Sequence, residues 1–289
     1  MKKQAHIAVI GGSGLYDMPG LSARQEVRIK TPFGAPSGPI LLGRLKGVPC
    51  AFLPRHGRGH VLLPSEVNGR ANIWALKHLG VERIVSVSAV GSLQEEFAPR
   101  DFVFPDQLVD ETKSRASTFF GAGIVAHVAF DRPFCAEESR LLCARARGLG
   151  LHAHQGGTLV CMEGPAFSTK AESEYHRRQG YSIIGMTVLP EAKLAREAEI
   201  CYAPAALVTD YDCWKEGEEV SSEKVVKNLA VNVANAQRLI AASVAELAAL
   251  PRRCRCATAL AGAIFTQAPA ASRRTARKLD LLVGKYLNT

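Results

Sequence analysis

The chain has 289 residues, 47% of them hydrophobic and 22% charged, with a formal net charge of +9. That size and balance suit one α/β domain and exclude a collagen-like, largely disordered or disulfide-stapled miniature fold. No apolar run approaches the roughly 20 residues of a bilayer span, and the stretch after Lys2 and Lys3 meets Gly11-Gly12 too soon for a signal peptide.

In chain order, residues 5–10 (AHIAVI) form a short apolar run that stops at Gly11-Gly12-Ser13-Gly14, as a buried strand entering a glycine turn. A hairpin-like region follows, residues 26–34 and 40–54 about a turn at 35–39, with Gly34, Gly38 and Gly47 marking the turns. Residues 64–79 read as a helix with Ser65 as N-cap and Gly80 as stop. Further strands are predicted at 83–89, in GTLVCMEGP, at 181–187 and at 205–209, with a short helix at 191–198. From Ser221 to Pro251 apolar residues recur at three and four, including Val226, Leu229, Val233 and Ile240, so this stretch is a long helix. Strands alternating with helices predict an α/β fold, a single domain with a central mixed β-sheet flanked by helices. Its ligand site should lie beyond the strand ends.

The charge is concentrated after Pro251, where eight basic residues face one acidic residue, Asp280, and the composition becomes Ala/Arg-rich. No nucleic-acid motif accompanies this tail, so a solvated helix or an oligomer contact is expected rather than nucleic-acid binding. The eight cysteines sit mostly in apolar contexts, such as Cys50, Cys161 and Cys201, which suits a reducing cytoplasm. His152 and His154 have no matching carboxylate cluster, and Cys254-Arg255-Cys256 lacks a second ligand pair, so no metal site is expected. Those two cysteines read as free tail thiols, with a tail disulfide as the alternative.

The glycine turn at 11–14 fits neither a P-loop, which needs a Lys-Ser/Thr pair, nor a dinucleotide fingerprint, whose last glycine is replaced by Asp17. What remains is a turn with free N–H groups and the Ser13 hydroxyl, a plausible anion cradle. Arg55-His56 adds a donor fork suited to phosphate. The strand end at Ser88-Ala89 and the hydroxyl of Thr187 add further donors. In TDYDCW, Asp210 and Asp212 lie two apart, and on an extended chain such side chains point the same way. Mutual repulsion and burial would keep one of them protonated, giving one donor and one acceptor. Adenine presents the complement, N6 as donor and N7 as acceptor, and the protonated acid could serve as general acid. The alternative is that D-Y-D simply opens a loop.

Taken together, IGGSGLY, LPRHGRGH, PSEVNGRANIWALKHLGV, SVSAVGSL, DFVFPDQLVD, MEGPAFSTKAES, MTVLPEAKLAREAEICYA and TDYDCWKE make the chain resemble the purine nucleoside phosphorylase/methylthioadenosine phosphorylase family, most of all its methylthioadenosine branch. The resemblance covers about residues 5–250 and leaves 251–289 as a basic C-terminal extension. It implies a nucleoside phosphorylase-like fold, inorganic phosphate as co-substrate, no metal or organic cofactor, a nucleoside substrate, and a homotrimer or hexamer. Position by position it implies that Ser13, Arg55, His56, Ser88, Ala89 and Thr187 bind phosphate. Phe167 and Met186 would flank purine and ribose, and Asp210, Tyr211 and Asp212 would meet the base, the two aspartates catalytically. The adenine-type choices stand at Asp210 and Ser168, where 6-oxopurine members carry Asn and Glu. Ser222, Glu223, Val225 and Val226 would wall the 5′ pocket, the valines suiting a methylthio group. The activity implied is phosphorolysis of methylthioadenosine, with a broader or 6-oxopurine-type phosphorylase as the alternative. Three departures weigh on strict preference: Ala166 where an arginine is common, Gly185 before Met186, and the polar Ser222.

Overall fold

The computed structural model describes the backbone of residues 3–12, 14–218 and 222–287, and their side chains except at 222–226 and 268. The first strand, β1 (Ile7–Gly11), is buried throughout. Ala8 and Ile10 pack into one apolar cluster, Ile7 and Val9 into a second. Successive side chains on a strand face opposite ways, so a strand apolar on both faces has to be covered on both. β2 (Leu21–Val27), β3 (Ile40–Leu45) and β4 (Val48–Pro54) form an antiparallel meander. Lys46 and Gly47 turn β3 into β4 with φ of 50° and 82°, the positive values that a two-residue hairpin loop of type I′ requires.

β4 and β5 (Arg83–Ser92) lie parallel to β1 on its two edges. β6 (Phe102–Phe104), β7 (Gln107–Glu111), β8 (Ala153–Gln155), β9 (Thr158–Met162), β10 (Ile183–Gly185) and β11 (Cys201–Asp210) complete an 11-stranded mixed sheet among the described residues. β5 is its axis. One edge carries β11 in parallel from Arg83 to Gly91. The other carries β1 as far as Ser86 and then, running the opposite way, β10 at Gly91 and Ser92. Residues 87–90 therefore have no strand partner on that second edge among the described residues. Ala89 is exposed there in the middle of the longest strand pairing of the sheet. Backbone groups left open in a sheet need another partner, and a ligand can supply one.

α1 (Gly69–His78) and α4 (Glu191–Glu197) pack on one face, and α2 (Ala136–Gly148) and α5 (Ser222–Ala249) on the other. α1 starts later than the sequence suggests. Its cap is Asn68, not Ser65, because Asn68 Oδ1 accepts the Ala71 N–H at 3.1 Å while its Nδ2 holds the Phe33 carbonyl at 2.8 Å. α3 (Lys170–Arg178) opens on a capping box, Thr169 with Glu172. α6 (Arg273–Leu287) closes the chain, and its Ala276, Leu279, Leu282, Val283 and Leu287 are buried in the same cluster as Ile10, Leu53 and Ile73. No helix among the described residues is long and apolar enough to cross a membrane.

Candidate active site

A cavity of about 430 Å³ opens at the break in β5. Its walls come from the segments that follow the carboxyl ends of β1, β4, β9, β10 and β11, from Val87 to Gly91 of β5, and from Leu229 and Val233 of α5. Ligand sites of open α/β sheets lie in that position.

Ser88, Ala89, Thr187, Arg55 and His56 all line the cavity. The Ser88 hydroxyl is buried and has no hydrogen-bond partner in the protein. Buried polar atoms are almost always satisfied, so an orphan on a residue that lines a cavity is a candidate ligand contact. Arg55 is 2% exposed and largely occupied by the protein itself. Its Nε and Nη2 form a fork on Glu191 at 2.6 and 3.1 Å, Nη2 also meets Ser86 Oγ at 2.7 Å, and Nη1 meets the Val87 carbonyl at 2.9 Å. Burial alone would lower the guanidinium, but the Glu191 carboxylate outweighs it and holds Arg55 above its ordinary value. Tyr202 Oη closes the network on Ser86 and Glu191 at 2.8 and 2.9 Å. One Nη1 hydrogen is left for a ligand.

His56 is pushed down to about 4, by burial first and by the Arg55 charge second, so it is neutral near pH 7. Its Nδ1 lies 2.9 Å from the Leu62 carbonyl, which can only accept. The ring proton therefore sits on Nδ1, and Nε2 is an acceptor. This corrects the expectation of a histidine donor: the donor side of the ring is used by Leu62.

Asp210 and Asp212 line the cavity together, but not for the reason the sequence offers. β11 ends at Asp210, and Asp212 has φ of 50°, so the segment is not extended and the period-2 rule does not apply. Asp210 Oδ1 instead accepts the Asp212 N–H at 2.9 Å and bends the chain back toward the sheet. Gly91 makes room: a Cβ there would lie 3.0 Å from Asp210 Oδ1 and 3.4 Å from Asp212 Cβ. Asp210 is held above the usual carboxylate range, chiefly by burial, with the Asp212 charge adding to it. Thr209 Oγ1 stands 2.6 Å from Asp210 Oδ2 and 3.2 Å from the Val90 carbonyl. Asp212 is 4% exposed, and its Oδ2 is a second buried orphan.

Met186, Phe167 and Met162 supply apolar wall, with Phe167 58% exposed at the mouth. Tyr211 does not line the cavity. It turns away from its two aspartate neighbours into a cluster with Leu93, Val160 and Trp214. Ser168 also lies off the wall, its Oγ 3.9 Å from Met162 Sδ. Ser13, and the side chains of Ser222, Glu223, Val225 and Val226, lie outside the described residues. Leu229 and Val233 of the same helix do line the cavity, although their spacing reads as core.

Glu191, Ser86 and Tyr202 escape a reading of motifs because they meet Arg55 only through the fold. So does Arg115, which bonds the carbonyls of Glu163, Met186 and Leu189 and the Glu163 carboxylate, tying the two loops of the apolar wall together. The expectation of no second ligand pair for Cys254 and Cys256 is also overturned. Folding brings Cys135 and Cys201 to them.

The phosphorylase superfamily model matches residues 6–245. The S-methyl-5′-thioadenosine phosphorylase of Koribacter versatilis is 56% identical over 286 residues, 98% of this chain and 97% of its own. That of Chloroflexus aurantiacus is 60% identical over 245 residues, 84% of this chain and 85% of its own. A methylthioadenosine phosphorylase from an antarctic soil metagenomic library superposes with a TM-score of 0.93 at 52% identity, covering 97% of this chain and 99% of that one. A mutant adenosine/methylthioadenosine phosphorylase of Schistosoma mansoni, in complex with methylthioadenosine, superposes with a TM-score of 0.81 at 36% identity, covering 86% of this chain and 93% of that one.

Proposed function

This chain belongs to the phosphorylase superfamily, and on that footing we propose that its cavity holds S-methyl-5′-thioadenosine and inorganic phosphate together. It is a pentosyltransferase of the nucleoside phosphorylase kind. A phosphate oxygen bonds to the anomeric carbon as the bond from that carbon to the base nitrogen breaks. The bonding pair leaves with the base, and the products are adenine and 5-methylthioribose 1-phosphate.

The observation that carries this reading is the pair of buried orphan atoms in one cavity, Ser88 Oγ and Asp212 Oδ2. Ser88 lies three residues from Gly91, the glycine under the aspartates, or about 10 Å along the strand. A pentose fits between them. Ser88, Thr187, the Ala89 backbone and the remaining Arg55 hydrogen bind phosphate, and neutral His56 accepts the P–OH hydrogen of the dianion. The two aspartates meet the base as a pair: one holds a proton and passes it to N7 as the base departs, which is general-acid catalysis, and the other accepts from the exocyclic amine. Met186 and Phe167 pack on ribose and purine.

Phosphate is the co-substrate, and no metal or organic cofactor takes part in the step. The chain works as a homotrimer or hexamer in the cytoplasm. The exposed apolar residues Val61, Leu63 and Phe167, with Leu63 and Phe167 on the cavity wall, support a partner subunit at the mouth. The test is a panel of S-methyl-5′-thioadenosine, adenosine and inosine with and without phosphate, followed by base release. Adenine should appear from the methylthio nucleoside only when phosphate is present. Faster release of hypoxanthine from inosine would overturn the assignment of Asp210.

A further inference from the structure

We propose that Cys135, Cys201, Cys254 and Cys256 form a structural site for one zinc ion. The four come from three separate segments: Cys135 caps α2, Cys201 opens β11, and Cys254 and Cys256 bracket the start of a 3-10 turn at Arg255–Thr258. Their sulfurs all lie within 4.8 Å of one another, with Cys201 and Cys254 at 3.4 Å. A zinc ion with four sulfurs at about 2.3 Å makes a tetrahedron with edges of about 3.8 Å, so small shifts close this cluster on the metal. All eight cysteines are free thiols, and Cys50, Cys143, Cys161 and Cys213 lie outside the cluster. None of the four sulfurs' residues lines the catalytic cavity.

An all-sulfur, four-coordinate donor set selects zinc over magnesium or calcium, and four protein ligands leave no open position for catalysis. Binding releases the four thiol protons and leaves a centre of net charge −2. Arg83, itself paired with Glu138, stands beside it. It is the register partner of Cys201, it is fully buried, and its Nε has no partner. Its Nη1 bonds Glu138, three residues after Cys135, at 2.9 Å.

The centre sits where the chain leaves α5 for its last segment. Arg83 holds the Leu250 carbonyl and Arg252 holds the Glu199 carbonyl at 2.6 Å. The Glu199 side chain takes the Leu260 N–H, Tyr286 Oη and Lys285 Nζ. Zinc here would clamp residues 251–289 to β11 and α2.

The test uses the full chain purified under reducing conditions, with zinc measured per chain. Cobalt exchanged for zinc should give the visible bands of a tetrahedral thiolate site. One zinc per chain, lost in Cys135→Ser and Cys256→Ser but kept in Cys50→Ser, is the expected result, with a lower melting temperature once a strong chelator strips the metal. If the two site variants do not fold, the cobalt spectrum of the unaltered chain decides. Reduced protein that retains neither metal overturns the site, as does an intact mass four hydrogens light from two disulfides.

Discussion

Ser88 and Arg55 face the same cavity, yet truncating each to alanine should have opposite consequences. The Ser88 hydroxyl has no partner in the protein, so Ser88→Ala strands nothing and should leave stability within about 0.5 kcal/mol. A hydrogen bond to a charged ligand contributes about 1.5–3 kcal/mol, so the phosphate KM should rise about tenfold or more. Arg55→Ala leaves Glu191, 1% exposed, as a buried carboxylate without its counter-charge. Such a loss costs about 3–5 kcal/mol, so this variant should fail in a melting experiment before phosphate affinity is legible. Equal melting temperatures for the two variants would reject this division of roles. The sequence points to Arg55 correctly as a cavity residue but misjudges how free it is, because Glu191 lies 136 positions further along. Asp210 and Asp212 are legible for a better reason: a bend closed by an aspartate onto the second residue after it is a local event, even though the chain there is not extended.

At the scale of elements, the site depends on how β5 and β11 end together. Their register shifts between Val208 and Asp210, opposite Gly91, and the aspartates fold into the space that glycine leaves. Gly91→Ala puts a methyl group 3.0 Å from Asp210 Oδ1 and 3.1 Å from Ile184 Cγ2. The backbone is not in the left-handed region here, so the cost is displacement of the aspartates rather than strain in the strand. The neighbours have to give by a few tenths of an ångström, so turnover should fall, by less than the roughly hundredfold that a 1 Å misplacement costs. Base release under saturating phosphate measures it, and a fall confined to the phosphate KM would count against the assignment. A strand such as β1 is readable because an unbroken apolar run has few alternatives, whereas β11 is read only over 205–209, because Pro204 interrupts its run. α2 is harder: its buried face carries the polar Glu138 and Ser139 beside Leu142, Cys143 and Ala146, and Glu138 is paired with Arg83 from a distant strand. The stripe of Leu229 and Val233 is legible as a helix face but not as a cavity wall, since both uses ask for the same apolar spacing.

At the scale of the whole molecule, the question is whether residues 251–289 are an appendage. The superfamily model ends at residue 245, and the composition change at Pro251 looks like a boundary. Yet the Koribacter relative aligns over 98% of this chain, and α6 contributes Leu279 and Val283 to the cluster that holds Ile10 of β1 and Ile73 of α1. Charge hides this in the sequence, because the basic residues lie on the other face of an amphipathic helix. Some of them are engaged there, Lys278 over the Phe33 ring at 4.5 Å and Lys285 on Glu199. Leu279 is fully buried, so Leu279→Ala should cost about 2–5 kcal/mol, the same range as Leu76→Ala in α1. Neither residue lines the cavity, so KM for both substrates should stay put below the melting temperature. A segment sharing one core cannot melt alone, and calorimetry of Leu279→Ala should show a single transition moved to lower temperature. A separate early transition, with phosphorolysis surviving above it, would make the tail an independent unit.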